Sequence, residues 1–300
     1  MPAGAATFTS SPTSWLMHAR AIGAVTETVP FERSASSRPT MRNTRLSPDY
    51  NVVSLAAPEI AELTLPGQFV MIKPGRGSDP LLRRPFSVFE ILYTPRAKIE
   101  GLSILSKRIG VTTSMLYDLV EGDVVSCLGP LGQSFSIVDP PAEAWMVAGG
   151  VGLAPFATLT AALRAHGTKM TLLYGARSVS ELFYADWFAH PDLRLIVSSE
   201  DGSRGVTGRV TVPLERELQA GAGKDIVVYA CGPEPMLEAV AALSARYGRP
   251  CQVSVERVMG CGMGGCYSCV VPVQDGQGGS RYVRSCIAGP VFAGADIVWA

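Results

Sequence analysis

The chain has 300 residues, 47% hydrophobic and 17% charged, which excludes a disordered protein and gives length for two domains with separate cores. Lys plus Arg and Asp plus Glu both total 26, so the formal net charge is zero and nothing in it points to nucleic acid or an anionic membrane surface. No apolar run reaches the ~18 residues of a membrane span.

Met1 to Arg20 is small, Ser/Thr-rich and poor in acids, and is expected to be a disordered tail rather than a transit peptide. Ala21 to Val29 and Tyr50 to Leu55 read as strands separated by a Ser/Arg/Pro-rich loop. Pro66-Gly67 makes a turn, Gln68 to Ile72 alternates like a strand, and Pro74-Gly75 to Pro80 is a long loop. Leu82 to Phe89 and Ile99 to Ser106 are further strands. Thr112 to Leu119 is a short helix, expected to be the only one in this domain. Glu121-Gly122-Asp123 turns into Val124-Val125, and Gly129-Pro130-Leu131-Gly132 breaks the chain again. Short strands divided by turns indicate an antiparallel β-barrel.

Within the barrel, Arg84-Pro85-Phe86-Ser87 carries chemistry. An Arg fixed beside a Pro can pair with a pyrophosphate, and a Ser hydroxyl two residues beyond that Pro can reach a flavin ring nitrogen. The alternative is an ordinary structural Arg–Pro at a strand start. Gly110-Val111-Thr112-Thr113 opens the helix, so its N–H groups are placed either to hold a pyrophosphate or simply to be capped.

From Trp145 strands and helices alternate, the pattern of a parallel sheet with crossover helices. The apolar run Ala144 to Ala148 meets Gly149-Gly150-Val151-Gly152-Leu153-Ala154-Pro155, and Phe156 to His166 has helical periodicity. Strand, glycine turn and helix start form a phosphate site for a dinucleotide, although the spacing is not G-x-G-x-x-G and Pro155 sits in the first helical turn. Thr171 to Tyr174, Leu193 to Ser198 and Ile226 to Ala230 continue the sheet. The last ends in Cys231-Gly232-Pro233-Glu234-Pro235-Met236 before a helix from Leu237 to Tyr247. Ligands bind at such strand ends, so Cys231 is a candidate to touch a nicotinamide, against the plainer reading of a small buried residue.

Four of the seven cysteines, Cys261, Cys266, Cys269 and Cys286, follow the spacing C-x4-C-x2-C-x16-C. That is the ligand spacing of a plant-type [2Fe–2S] centre. Gly262, Gly264 and Gly265 let the loop turn N–H groups toward the sulfurs. A zinc site more often shows two C-x2-C knuckles, and an odd cysteine total without a secretion signal argues against disulfides and for a reducing, cytoplasmic location.

Taken together, Arg84-Pro85-Phe86-Ser87, the Gly149–Pro155 turn, Cys231-Gly232-Pro233-Glu234-Pro235-Met236 and the terminal cysteine set resemble the ordered signatures of the ferredoxin–NADP reductase superfamily. Within it they resemble the dihydroorotate dehydrogenase electron-transfer subunit branch, over roughly residues 50 to 299. Gly129-Pro130-Leu131-Gly132, Tyr174-Gly175-Ala176-Arg177, Glu200-Asp201-Gly202-Ser203 and Gly289-Pro290-Val291-Phe292 belong to the same likeness. The resemblance implies a tail over 1–20, an FAD-binding β-barrel over 21–141, an NAD-binding α/β domain over 142–250 and a [2Fe–2S] segment over 251–300. It places Arg84, Pro85, Phe86, Ser87, Leu105, Ser106, Lys107, Thr112 and Thr113 on FAD, with Thr112 standing where the family has Gly. It places Gly149, Gly150, Gly152, Pro155, Gly232 and Pro233 on NAD, Cys231 beside the nicotinamide, and the four cysteines on the cluster.

The implied partner is an FMN-containing catalytic subunit that oxidises dihydroorotate to orotate in pyrimidine biosynthesis, two copies of each forming a heterotetramer. The implied electron route is dihydroorotate, FMN, cluster, FAD, NAD. Two other readings stand beside it. One is an NAD(P)H diaphorase subunit of a sulfite reductase, hydrogenase or glutamate synthase type of complex; the other is a redox-sensing protein without turnover. NAD and NADP are not separated, because Arg177 after a strand can meet a 2′-phosphate or solvent.

Overall fold

The computed structural model describes residues 36–75 and 77–299. The tail over 1–20 and the strand expected at Ala21 to Val29 lie outside the described residues.

The first unit is a closed barrel in the order β1-β2-β5-β4-β3-β6. Its strands are β1 (Ser36–Arg45), β2 (Tyr50–Leu55), β3 (Phe69–Pro74), β4 (Arg84–Tyr93), β5 (Ile99–Lys107) and β6 (Val124–Leu131). Much of the stretch read as a Ser/Arg/Pro-rich loop is therefore β1. Its apolar pattern is weak because main-chain pairing to both β2 and β6 makes it a strand. Asn43 fastens it further, donating to the carbonyls of Leu116, Tyr117 and Leu119 at 3.1, 3.0 and 2.9 Å. A second helix, Pro58–Leu63, corrects the expectation of one. Gly129-Pro130 also does not break the chain but lies within β6, where a Cβ on Gly129 would meet Val70 Cγ1 at 2.6 Å. That close approach of β3 explains the glycine.

The second unit is a sheet in the order β10-β9-β8-β7-β11-β12-β15. It comprises β7 (Glu143–Gly149), β8 (Met170–Ala176), β9 (Leu193–Ser199), β10 (Val206–Thr207), β11 (Ile226–Cys231), β12 (Cys251–Ser254) and β15 (Val291–Ala293). All neighbours are parallel except β12 and β15. The chain leaves β7 through the helix Ala154–Ala165 toward β8, and leaves β11 through the helix Glu234–Arg246 toward β12. These crossovers diverge, which opens a crevice at the C-terminal ends of β7 and β11, the switch point where open α/β sheets bind ligands.

Between β12 and β15 the chain makes the cysteine loop, the hairpin β13 (Val270–Gln274) and β14 (Ser280–Arg284), and the short helix Ser285–Ala288. The expected boundary at residue 251 thus falls on a strand of the central sheet. Its cysteine segment is an excursion from the sheet edge, with both ends tied into it.

Barrel and sheet share one core. Val52, Phe89 and Leu105 from the barrel pack with Met146, Phe156 and Tyr174 of the sheet unit. Each such buried large side chain contributes about 1.5–3 kcal/mol relative to exposure, so the relative placement of the two units is held by packing. The turn Gly150–Leu153 consequently lies against β5 as well as β8 and β11, and the following helix lies against β4.

Candidate functional site: a flavin strand between a dinucleotide crevice and a cysteine loop

Arg84, Pro85 and Phe86 open β4, in register with Ile72, Met71 and Val70 of β3. Arg84 is exposed and folds back, donating to the carbonyls of Leu82 and Arg83 at 3.0 and 3.2 Å. Pro85, Phe86 and Ser87 are half-buried, whereas Val88 and Phe89 beyond them are sealed in the core. On β5, Leu105 and Ser106 are buried, and Ser106 Oγ has no hydrogen-bond partner within the chain. A buried hydroxyl left unpaired costs about 1–3 kcal/mol, so a strand that keeps one suits a polar ligand. Lys107 turns its ammonium over the Tyr50 ring at 5.0 Å and to Glu181 Oε1 at 3.3 Å. Tyr50, then Glu181, raise its pKa against burial.

At the helix Val111–Asp118, Thr112 is buried, and Thr113 Oγ1 accepts from the N–H groups of Ile109 and Gly110 at 2.8 and 3.0 Å. The Thr113 side chain therefore serves the turn itself. What this helix start offers an anion is its free main-chain N–H groups.

The dinucleotide crevice is built from bare glycines. Gly150 has φ +55° with open space around it. Added Cβ atoms on Gly149 and Gly152 would meet Met236 Sδ at 2.7 Å and the Cys231 carbonyl oxygen at 2.2 Å. The β7 turn and the β11 end are thus in main-chain contact, as pairing of Ala148 with Cys231 requires. Gly232, at φ +156°, closes against Met236, and Pro233 leads into the helix behind it. Pro155 is buried in the first turn of its helix. Cys231 is half-buried, and burial pushes its thiol up to about 12 despite a hydrogen bond with Ser254, so it is neutral at physiological pH.

Arg177, one residue past β8, is held by the Glu181 carboxylate, with Nε at 3.2 Å from Oε2 and Nη2 on Oε1. Arg177, and next Lys107, pull the Glu181 pKa down to about 2. This carboxylate joins the sheet to the flavin-side strand β5.

In the cysteine loop, Cys261 Sγ accepts from the N–H groups of Met263 and Gly265, each at 3.3 Å. Ser268 Oγ lies 3.2 Å from Cys266 Sγ and accepts from Gly260 N–H at 2.9 Å. Ser268, followed by main-chain donors, lowers the Cys266 thiol to about 6. Cys269 and Cys286 are buried among Phe69, Met71, Leu128, Leu131 and Met259, so the loop is seated on β3 and β6. Burial first, then Cys269 and Cys261, push Cys286 up to about 12, which marks the thiols as mutual neighbours. Gly262, at φ +71°, is the contact point, since a Cβ there would meet Met71 Cγ at 2.6 Å. Arg284 clasps the loop from outside, donating to the Gly264 carbonyl at 2.7 Å and covering the Tyr267 ring at 4.6 Å.

Among the described residues no three His, Cys, Asp or Glu side chains converge as ligands of a single metal ion. A binuclear cluster asks for a different set, four thiolates shared between two irons with inorganic sulfides between. Four neighbouring free thiols, one exposed, one half-buried and two buried, with N–H groups aimed at sulfur, fit that group.

Residues 256–298 match the family model described as the iron–sulfur cluster binding domain of dihydroorotate dehydrogenase B, and 146–242 match the oxidoreductase NAD-binding domain. The dihydroorotate dehydrogenase B (NAD(+)) electron transfer subunit of Desulforamulus reducens is 33% identical over 85% of this chain and 94% of its own. The chain belongs to this electron-transfer subunit family. The corresponding subunit of Geobacillus kaustophilus is 37% identical over 82% of this chain and 91% of its own. A solved NADH-dependent reduced ferredoxin-NADP oxidoreductase superposes with TM-score 0.75 at 28% identity, covering 89% of this chain and 91% of that one. The ferredoxin-reductase-like architecture expected for an electron-transfer subunit is therefore present: barrel, α/β unit and C-terminal cysteine segment. No helix among the described residues is long and apolar enough to cross a membrane.

Four contributors to the site in this family member are not marked by the sequence motifs. Ser268 lies inside the cysteine motif and Arg284 two residues before Cys286, so proximity to ligands was an available signal for both. Glu181, and Met71 as the seat of the loop, carry no local signature, because their roles arise from distant segments meeting.

Proposed function

We propose that this chain is the NAD-linked electron-transfer subunit of a dihydroorotate dehydrogenase, receiving electrons from an FMN-containing catalytic subunit and delivering them to NAD+ in pyrimidine biosynthesis. The observation that carries this reading is spatial order. Gly262 of the cysteine loop rests on Met71, and Met71 is the ladder partner of Pro85 in the flavin motif. On the other side, the glycine turn of the dinucleotide crevice lies against β5. Cluster seat, flavin strand and dinucleotide turn are thus consecutive in space.

FAD, when bound, supplies the conversion between hydride transfer with NAD and single-electron transfer with the cluster. The chain's own residues position these groups. Arg84 would release its loop carbonyls to pair with the flavin pyrophosphate, with main-chain N–H groups at Val111–Thr113 opposing it. Phe86, Ser87, Leu105, Ser106 and Lys107 would line the ring. Gly149, Gly150, Gly152, Pro155, Gly232 and Pro233 would let the dinucleotide backbone approach closely, and the neutral Cys231 thiol would lie beside the nicotinamide without adding charge. Cys261, Cys266, Cys269 and Cys286 would hold the irons, and burial of the last two keeps water from the barrel side. No side chain in this scheme acts as a general acid or base. The 1–20, 21–141, 142–250 and 251–300 division, a cytoplasmic location and a heterotetramer with two catalytic subunits belong to the same reading.

The solved relative at TM-score 0.75 favours a second reading, a diaphorase subunit of another redox complex. A pull-down from native lysate with flavin and iron analysis separates the two. Recovery of an FMN protein with dihydroorotate-dependent NAD+ reduction supports the first; FAD and iron with a partner inert to dihydroorotate support the second.

A further inference from the structure

We propose that Ser268 is a positioning residue that sets the reduction potential of the cluster through Cys266, an inference that rests on the cluster reading above. A serine hydroxyl has one proton to give and two lone pairs to receive with. Gly260 N–H occupies a lone pair of Ser268 Oγ at 2.9 Å, which leaves the proton for the sulfur of Cys266 at 3.2 Å. Gly260 is bare for this reason, since a Cβ there would sit 3.1 Å from Cys266 Sγ and 3.4 Å from Ser268 Oγ.

The position of this contact gives it consequence. Cys266 is exposed, while Cys269 and Cys286 are buried against β3 and β6. Cys261 takes its donors from the main chain at Met263 and Gly265, which any side chain at those positions preserves. Cys266 draws on a side-chain hydroxyl in addition to main-chain donors, and only the hydroxyl depends on the residue type at 268. A donor to a ligand sulfur stabilises the form of the cluster holding one more electron, and so raises its potential. Ser268 therefore makes the cluster a better electron acceptor.

The test is potentiometric titration of the full-length holoprotein, following the reduced cluster by EPR and the flavin by absorbance. Ser268→Ala should lower the cluster midpoint and leave the flavin midpoint unmoved; Ser268→Thr, which keeps the hydroxyl, should restore it. A fully loaded Ser268→Ala protein with the wild-type midpoint overturns the proposal, as does Ser268→Thr falling as far as Ser268→Ala. If Ser268→Ala does not load, the Fe–S(Cys) stretch of wild-type protein decides. A shift on transfer to D2O that Ser268→Thr shares supports the hydroxyl contact, and no shift in wild type overturns it. Failure of the underlying reading looks different: wild-type protein would contain no acid-labile sulfide.

Discussion

Gly152→Ala tests the dinucleotide crevice by adding one methyl group. The added carbon would lie 2.2 Å from the Cys231 carbonyl oxygen, 2.5 Å from its carbon and 2.7 Å from Gly232 N, against ordinary contact at 3.4–4 Å. All three atoms are main chain at the end of a paired strand, so no side chain can swing aside and the two strand ends must part by about an ångström. Overpacking of this kind costs about 1–3 kcal/mol, and a displacement of ~1 Å at a reacting site can cost ~100-fold in rate. The expected result is a melting temperature lower by about 2–4 °C per kcal/mol lost, with kcat/KM for NADH-dependent ferricyanide reduction down by one to two orders of magnitude. FAD content should stay the same, because the barrel motif is untouched. Gly150→Ala is the control: its φ of +55° charges a left-handed penalty, but nothing lies within 4 Å of the new carbon. Its stability loss should stay near 1–2 kcal/mol. Wild-type kcat/KM in Gly152→Ala would refute the placement of the nicotinamide at the β7–β11 switch point.

Cys266→Ser and Cys286→Ser should each abolish or strongly weaken cluster absorbance while FAD remains, whereas Cys127→Ala and Cys251→Ala should leave it intact; the visible spectrum of anaerobically purified protein decides. Arg84→Ala should weaken FAD retention by about 1.5–3 kcal/mol, roughly 10- to 150-fold in Kd, read by flavin fluorescence after gel filtration. Undiminished FAD would reduce Arg84 to a loop tie. Glu181→Gln should destabilise the fold at neutral pH. Because the folded pKa of Glu181 lies near 2 against 4.5 for the free group, the unfolded chain binds the extra proton between them. The melting difference between wild type and Glu181→Gln should therefore shrink as pH falls from 4.5 toward 2; a constant difference would assign the effect to packing.

Much of the architecture is legible in the sequence because its signals are local. The Gly149–Pro155 turn, the Cys231-Gly232-Pro233 strand end and the cysteine spacing each specify backbone conformations within a few residues, and all lie where those signals place them. β1 was not legible: a strand of Ser, Arg, Pro and Asn owes its pairing to β2 and β6 on either side, with no apolar alternation to announce it. Gly129-Pro130 misled in the opposite sense, since a turn-like pair is tolerated inside β6 by the close approach of Val70. At 112 and 113 the likeness to a Gly-Thr pair on phosphates concerns main-chain approach; the structure adds that Thr112 is buried and that Thr113 Oγ1 accepts from its own turn, a local side-chain role the likeness does not specify. The link Lys107–Glu181–Arg177 spans three elements and had no sequence signature at all.

The central claim is that electrons pass between a partner and NAD through the cysteine loop and the flavin strand beneath it. The direct measurement is dihydroorotate-dependent NADH formation by this chain reconstituted with an FMN-containing catalytic subunit, compared with a Cys286→Ser chain shown by gel filtration to bind the same subunit and FAD. The account predicts NADH formation with the wild-type chain and its near-complete loss with Cys286→Ser, while both reduce ferricyanide from NADH equally. Wild-type rates of NADH formation in the Cys286→Ser complex would contradict it.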